Sequence, residues 1–77
     1  MSNQDPEIKN HIRRLRFEHG EMTQYQLATR AGVTRHTIMA LEAGKSFPSL
    51  LLAFRIAQVF GTPVEQVFEY QGTELKL

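Results

Sequence analysis

Four consecutive polar side chains, Thr34-Arg35-His36-Thr37, are the strongest candidates for chemistry in this sequence. They supply two hydroxyls, a guanidinium and an imidazole, and Thr34 is a residue type that favours the start of a helix. On that helix, three apolar residues would face inward: Val33, Ile38 and Leu41. The stripe left facing outward consists of Thr34, Arg35, His36, Thr37 and Ala40. Hydrogen-bonding groups on an exposed first turn, with a small residue behind them, suit a groove edge lined with acceptors.

Catalytic and metal-binding chemistry has little support. The chain has no cysteine, which excludes a thiolate nucleophile and a zinc site with cysteine ligands. His11 and His19 would point about 80° apart on a helix of about 3.6 residues per turn, and no third ligand lies nearby in the sequence. There is no Ser-His-Asp order, glycine-rich phosphate loop or His-Glu-x-x-His motif. We therefore expect no enzyme activity, no metal and no cofactor.

The outward stripe must be positioned by a single small domain, because the chain has only 77 residues. Its 42% hydrophobic and 22% charged side chains are typical of a globular fold. The net charge of +1 by itself argues against a nucleic-acid binder, which usually has a pI above about 9. The charge is unevenly distributed, however, because residues 30 to 55 carry +3 and residues 56 to 77 carry −2. A near-neutral total therefore does not exclude DNA. The chain shows no membrane-length apolar run and no leader-like pattern at its start, so we expect a cytoplasmic protein without a membrane contact.

Regularly spaced start and stop residues predict five short helices. The first would begin at Asp5-Pro6 and end at Gly20, with a periodic face made of Ile8, Ile12, Leu15 and His19. The second would begin with a capping box at Thr23-Gln24-Tyr25-Gln26 and end at Gly32. The third would run from Thr34 to Gly44.

The last two helices complete the prediction. The fourth would follow Pro48-Ser49 and end at Gly61, with an inner face of Leu50, Ala53, Phe54, Ala57 and Phe60. A second capping box, Thr62-Pro63-Val64-Glu65, would begin a fifth helix carrying Val64, Val67 and Phe68. These patterns predict an all-α fold. The tail alternates apolar and polar residues around Gln71-Gly72, which leaves open a short C-terminal strand or hairpin.

Residues 24 to 45 hold the two helices of greatest interest. Helices that cross closely at a tight turn need a small residue at the contact and a glycine at the reversal, and Ala28 and Gly32 meet these needs. The sequence from about residue 8 to 70 resembles the Cro-repressor-type helix-turn-helix family of xenobiotic-response-element-like transcriptional regulators. The matching residues are Leu15-Arg16, Thr23-Gln24, Ala28, Gly32-Val33-Thr34-Arg35, Thr37-Ile38, Leu41-Glu42, Gly44-Lys45, Pro48-Ser49-Leu50 and Ile56-Ala57.

The resemblance implies a compact five-helix, lambda-repressor-like DNA-binding domain with the helix-turn-helix at helices 2 and 3. Gln24 would bind a DNA phosphate and brace the recognition helix, and Lys45 would contact a second phosphate. Arg35 and His36 occupy the main base-reading positions. The remaining implied DNA contacts are Thr34, Thr37 and Ala40. Arg16 and Glu42 would form a buried ion pair that joins helix 1 to the end of helix 3.

Two departures from the family pattern affect local details. Many members carry Asn where this chain has Ala43, which puts a polar backbone contact there in question. The link Gly20-Glu21-Met22 is one residue longer than in phage repressors, which should change the loop and leave the core intact.

The resemblance and the apolar content together predict a homodimer. We expect a flexible N-terminus over residues 1–5, a DNA-binding domain over 6–69 and a tail over 70–77 related to dimerisation. Five apolar residues exceed what the core needs: Leu51, Val59, Val67, Phe68 and Tyr70. Pairing through helix 5 and the tail would bury some of them.

The expected function is sequence-specific binding of double-stranded DNA at a palindromic operator, with half-sites ~34 Å apart, by a transcriptional repressor. Activation is equally compatible with these residues. An alternative is an antitoxin or other regulator that uses the same DNA face and binds a protein partner through its tail. A third possibility is an interaction module with no role on DNA.

Overall fold

The computed structural model describes residues 7–72, which form five helices and two strands. In chain order they are β1 (Glu7–Asn10), α1 (Ile12–Glu18), α2 (Gln24–Ala31), α3 (Arg35–Glu42), α4 (Leu50–Phe60), α5 (Val64–Val67) and β2 (Phe68–Gln71). The five expected helices are thus present. The all-α expectation is incomplete, because the two strands form a small antiparallel sheet.

The largest correction concerns the predicted start of the first helix. Residues 7 to 10 form a strand in which Ile8 lies opposite Tyr70 and Asn10 opposite Phe68. The N–H of His11 donates to the carbonyl of Val67 at 2.8 Å, so this segment finds its backbone partners near β2. The spacing of Ile8 and Ile12 fits a helix, but the distant strand offered a pairing that local periodicity could not show. Asp5 and Pro6 lie outside the described residues.

The tail contains the C-terminal strand that was one of the open alternatives. β2 pairs with β1, and the hairpin partner considered for it, residues 74–77, falls outside the part of the chain that the structure describes. β2 also crosses the expected boundary between domain and tail at residue 70.

The core lies between the helices, and α4 contributes the most side chains to it. The buried cluster comprises Ile12, Leu15, Met22, Leu27, Ala28, Ala31, Ile38, Leu41, Leu52, Ile56, Ala57, Phe60 and Val67. The predicted inner face of helix 4 is partly wrong, because Leu50 and Phe54 are 75% and 55% exposed while Leu52 and Ile56 are buried. α4 is apolar around most of its circumference, so its periodicity did not single out one face.

Helix starts are well predicted where a hydroxyl residue directly precedes the helix. The capping box at Thr23 is confirmed, since Gln26 N–H donates to Thr23 Oγ1 at 3.0 Å and Thr23 N–H donates to Gln26 Oε1 at 2.9 Å. The second predicted capping box is wrong. Pro63 occupies the N-cap of α5 and has no side-chain acceptor, so Thr62 sits one residue too early.

Candidate nucleic-acid interface

α2 and α3 are joined by a turn of three residues that requires a glycine. Gly32 has φ of +78°, a left-handed conformation that residues with a Cβ adopt at a cost. Its N–H and that of Val33 both donate to the carbonyl of Ala28, which closes the end of α2. Ala28 itself is buried where the two helices meet. The pair is a helix-turn-helix with a tightly defined geometry.

Two threonines hold the first turn of α3. The N–H of Thr37 donates to Thr34 Oγ1 at 3.2 Å, and the two hydroxyl oxygens lie 3.1 Å apart. An N-cap of this kind satisfies one of the amides left open at a helix start. The hydroxyls of Thr34 and Thr37 therefore stiffen the turn from which the two neighbouring side chains project.

The outward face of α3 carries Arg35 and His36, both exposed, with Ala40 half-buried behind them. Within residues 7–72 neither Arg35 nor His36 has an ion-pair partner. Met39, 40% exposed, shares this face and was missed by sequence reasoning. Its position four residues after Arg35 was the available signal, but its apolar type suggested the core. We call Thr34, Arg35, His36, Met39 and Ala40 the recognition surface.

A network centred on Glu42 holds α3 to the rest of the domain. Arg16 Nε donates to Glu42 Oε2 at 2.6 Å and Arg16 Nη2 donates to Oε1 at 3.1 Å. The same guanidinium donates through Nη1 to the carbonyl of Met22 at 2.8 Å. The side chains of Arg16 and Glu42 are 15% and 11% exposed, so they form a largely desolvated, bidentate ion pair. It joins α1, the α1–α2 loop and the last turn of α3.

Gln24 belongs to the same network. Its side-chain amide donates to Glu42 Oε1 at 3.1 Å, which ties the start of α2 to the end of α3. This contact is of the bracing kind that the family resemblance implies for Gln24. The phosphate contact implied for the same residue has no counterpart here and stays a prediction.

The end of α3 is held by a residue that sequence analysis had assigned to helix 1. The side-chain amide of Asn10 donates to the carbonyls of Leu41 and Glu42, at 3.0 and 3.4 Å. The N–H of Lys45 donates to the carbonyl of Ala40 at 2.9 Å, which leaves the exposed Lys45 side chain just beyond the helix. Asn10 reaches these carbonyls only because β1 pairs with β2, so no local pattern could have identified it.

A second exposed region is apolar. Ile8, Phe47, Leu50, Phe54 and Tyr70 are among the exposed large hydrophobics, and an open groove of about 390 Å³ runs between several of them, lined also by Val64 and Phe68. We call these seven residues the apolar surface. Of the residues predicted to pair two copies, Leu51 and Tyr70 are exposed. Val67 is fully buried and Val59 and Phe68 pack against the core, so those three are not surplus in the way predicted.

The two histidines considered as metal ligands instead bridge elements of the fold. His11 Nε2 lies 3.0 Å from Glu69 Oε1, and this hydrogen bond is the main reason that the pKa of Glu69 falls below its ordinary 4.5. The ring of His19 lies within hydrogen-bond distance of the carbonyls of Leu15 and Phe60. Among residues 7–72 no group of His, Asp and Glu could hold a metal ion.

A helix-turn-helix with an exposed cationic turn defines a class of DNA-binding proteins, and the comparisons with known proteins agree with it. A family profile described as helix-turn-helix matches residues 12–67. An uncharacterised HTH-type transcriptional regulator of Methanocaldococcus jannaschii is 46% identical over 67 residues, which is 87% of this chain and 100% of that protein. The YgzD HTH-type transcriptional regulator of Bacillus subtilis, also uncharacterised, is 43% identical over 79% of this chain and 91% of its own length.

The crystal structure of a Bacteroides fragilis protein to which a DNA-binding role has been ascribed has a TM-score of 0.71 and 26% identity, covering 80% of this chain and 98% of that one. The chain belongs to the Cro-repressor-type helix-turn-helix family of xenobiotic-response-element-like regulators. In the described range no helix has the length and apolar character that crossing a membrane requires.

Proposed function

We propose that this DNA-binding regulator is a transcriptional repressor that binds a palindromic operator as a homodimer, with α3 in the major groove. The observation that carries the proposal is the recognition surface. Its cationic first turn projects from a helix held at its start by Thr34 and at its end by the Arg16–Glu42 pair. A rigid helix with exposed donors matches the acceptor pattern of the groove.

Each side chain on this surface receives a role from its position and chemistry. Arg35, exposed on the first turn, donates to guanine, the commonest specific contact in the major groove. His36 contacts an adjacent base or phosphate, and Thr34 and Thr37 approach the backbone near the helix start. Ala40 faces the bases without obstructing them. Lys45 and Gln24 contact phosphates on either side, with Gln24 anchored by Glu42.

The apolar surface supports the dimer. Ile8, Phe47 and Leu50 line one groove, and Phe54 follows Leu50 by one turn of α4. All four apolar side chains are exposed to water. A two-fold axis through this patch would relate two copies of α3, and helix-turn-helix dimers bind half-sites about 34 Å apart. Occupancy of an operator near a promoter would then block polymerase sterically, in the cytoplasm.

In vitro selection of bound DNA, followed by binding measurements on the selected site, tests the proposal. Selection should return a two-fold symmetric sequence. Arg35→Ala should weaken that site by about 1–3 kcal/mol and hardly affect random DNA. Lys45→Ala should weaken both DNAs equally and lower the salt slope by about one unit. No enrichment, or identical losses from the two variants on both DNAs, would contradict the proposed roles.

The apolar surface also favours one second candidate, a regulator whose main partner is another protein. In that case a partner would cover Phe47, Leu50 and Phe54 in place of a second copy. Co-purification with a stoichiometric partner protein, lost in Leu50→Glu, would support this candidate, and a purified homodimer with the patch protected would argue against it.

A further inference from the structure

Arg30 and Arg55 come from different helices and line one groove at the helix-turn-helix turn. Arg30 lies in the last turn of α2 and Arg55 in the middle of α4. The open groove has a volume of about 420 Å³ and is lined also by Gly32 and Gln58. The guanidinium of Arg55 rests against the turn, because a Cβ built on Gly32 would lie 3.5 Å from Arg55 Nη1.

In the described part of the chain neither guanidinium forms an ion pair with a carboxylate. Across residues 7–72 the ion pairs involve His11, Arg14 and Arg16, and none involves Arg30 or Arg55. The cation of Arg30 is favoured by its place at the C-terminal end of α2. No such interaction favours the cation of Arg55, which lies in the middle of α4 and shares the groove with the like charge of Arg30. The two guanidiniums and the amide of Gln58 line one groove, and together they offer it a cluster of hydrogen-bond donors with positive charge, which suits an anion.

We propose that Arg30 and Arg55 form an anion site that binds one backbone phosphate of DNA, flanking the bases that face α3. The proposal rests on the DNA-binding function proposed above. The site borders Gly32, and only Val33 and Thr34 separate Gly32 from Arg35, so the groove lies next to the start of the recognition helix. A forked guanidinium suits phosphate oxygens, and the contact adds affinity without sequence preference.

The salt dependence of DNA binding distinguishes this site from two solvated arginines. On the selected operator and on random DNA, Arg30→Gln/Arg55→Gln should lower the slope of log K against log salt by about 0.9. Affinity should fall by about tenfold at 0.1 M salt, by the same factor on both DNAs. In the unliganded protein the thermal midpoint should change little, because relief of the like-charge pair offsets loss of the favourable position of Arg30 at the end of α2.

Arg14→Gln is the matched control. Arg14 is an exposed arginine on α1 that pairs with Glu18 at 3.7 Å. It lies two residues before Arg16, so on the helix it points about 160° away from the side chain that reaches α3. Arg14→Gln removes one positive charge, as Arg30→Gln does alone, yet it should leave the slope unchanged.

The outcomes separate this proposal from the one on which it rests. A wild-type protein that binds no DNA overturns both. Wild-type binding with an unchanged slope in the double variant overturns the anion site alone, as does an equal change in Arg14→Gln. If the double variant loses its helical circular dichroism, the single variant Arg30→Gln, at an exposed position, replaces it in the test. A salt slope of Arg30→Gln identical to that of wild type would then contradict the proposal. Binding of an acidic peptide at this groove, with DNA binding unaffected, would also overturn it.

Discussion

The recognition surface and the apolar surface are both exposed, but they are supported in different ways. Behind the recognition surface stand the Thr34 cap and the charged network of Arg16, Glu42 and Gln24. The apolar surface is carried by the α3–α4 loop, the first turns of α4 and the face of a two-stranded sheet. A two-stranded sheet is only marginally stable alone. The recognition surface is therefore held in place without a ligand, whereas the apolar surface exposes side chains that would be more stable if buried.

This difference fits two kinds of partner. Reading base edges needs donors held in fixed positions, since a small displacement loses a hydrogen bond. An association surface gains free energy from apolar area removed from water, about 25 cal/mol per Å², and tolerates local adjustment. One short segment of chain leads from Ala40 of the recognition surface to Phe47 of the apolar surface. Association of two copies through the apolar surface would therefore set the spacing between their recognition surfaces.

The largest effect should come from breaking the network behind the recognition surface. Glu42→Ala leaves Arg16 largely buried without its carboxylate and removes the acceptor of Gln24, so the free energy of unfolding should fall by about 3–5 kcal/mol. Chemical denaturation measures this loss. Arg14→Ala, which breaks the exposed pair with Glu18, should cost less than about 1 kcal/mol. Equal losses in the two variants would mean that the network does not brace the helix.

The next effect should come from placing charge in the apolar surface. Phe54→Glu should give a monomer at micromolar concentration and weaken binding to a full operator by tenfold to a hundredfold, about 1.4–2.8 kcal/mol. Affinity for a single half-site should not change. Analytical ultracentrifugation and binding to both DNAs measure the two results. Phe17 is an even more exposed aromatic, on α1 and outside the patch, and Phe17→Glu should remain a dimer. A dimeric Phe54→Glu would show that this surface is not the interface.

The sequence predicted the braced surface better than the apolar one for a physical reason. The Thr23 capping box, the Gly32 turn and the Thr34 cap depend on residues within four positions of one another, so their spacing alone specifies them. The spacing of the charged pair is not local, since Arg16 and Glu42 lie 26 residues apart. It was inferred through a family resemblance.

The features that the sequence did not predict depend on contacts between residues far apart in the chain, which no local pattern contains. β1 exists because β2, far along the chain, pairs with it, and Asn10 caps α3 only through that pairing. The face that α4 turns inward was decided by the helices around it, because Leu50 and Leu52 are equally apolar. Val67, expected at an interface, is used to close the core beneath β2.

Two helix starts allow a finer comparison, since Thr34 belongs to the recognition surface and Thr62 precedes α5, which contributes Val64 to the apolar surface. Thr34 caps α3, whereas the hydroxyl of Thr62 before α5 is buried and has no hydrogen-bond partner among residues 7–72. Thr34→Ala should lower the free energy of unfolding by about 1 kcal/mol. Thr62→Val removes a desolvated hydroxyl and keeps the shape, so stability should hold or rise by about 1 kcal/mol. Thermal unfolding of both variants measures the contrast, and a Thr62→Val protein that is clearly less stable than wild type would show that the hydroxyl has a partner.

The smallest effect concerns pH at the sheet beneath the apolar surface. The hydrogen bond from His11 holds the pKa of Glu69 below its ordinary 4.5, with lesser contributions from the charge of His11 and from Gln71 and Lys9. A carboxyl whose folded pKa is lowered stabilises the fold above its unfolded pKa, and that contribution is lost as pH falls through the folded value. Wild type should therefore lose slightly more stability than Glu69→Gln below pH 4.5, and His11→Gln should behave like Glu69→Gln. Glu65→Gln, an exposed carboxylate on α5, should keep the wild-type pH profile. A pH profile in Glu69→Gln that matches wild type throughout would mean that the pair with His11 does not hold β2 to the start of α1.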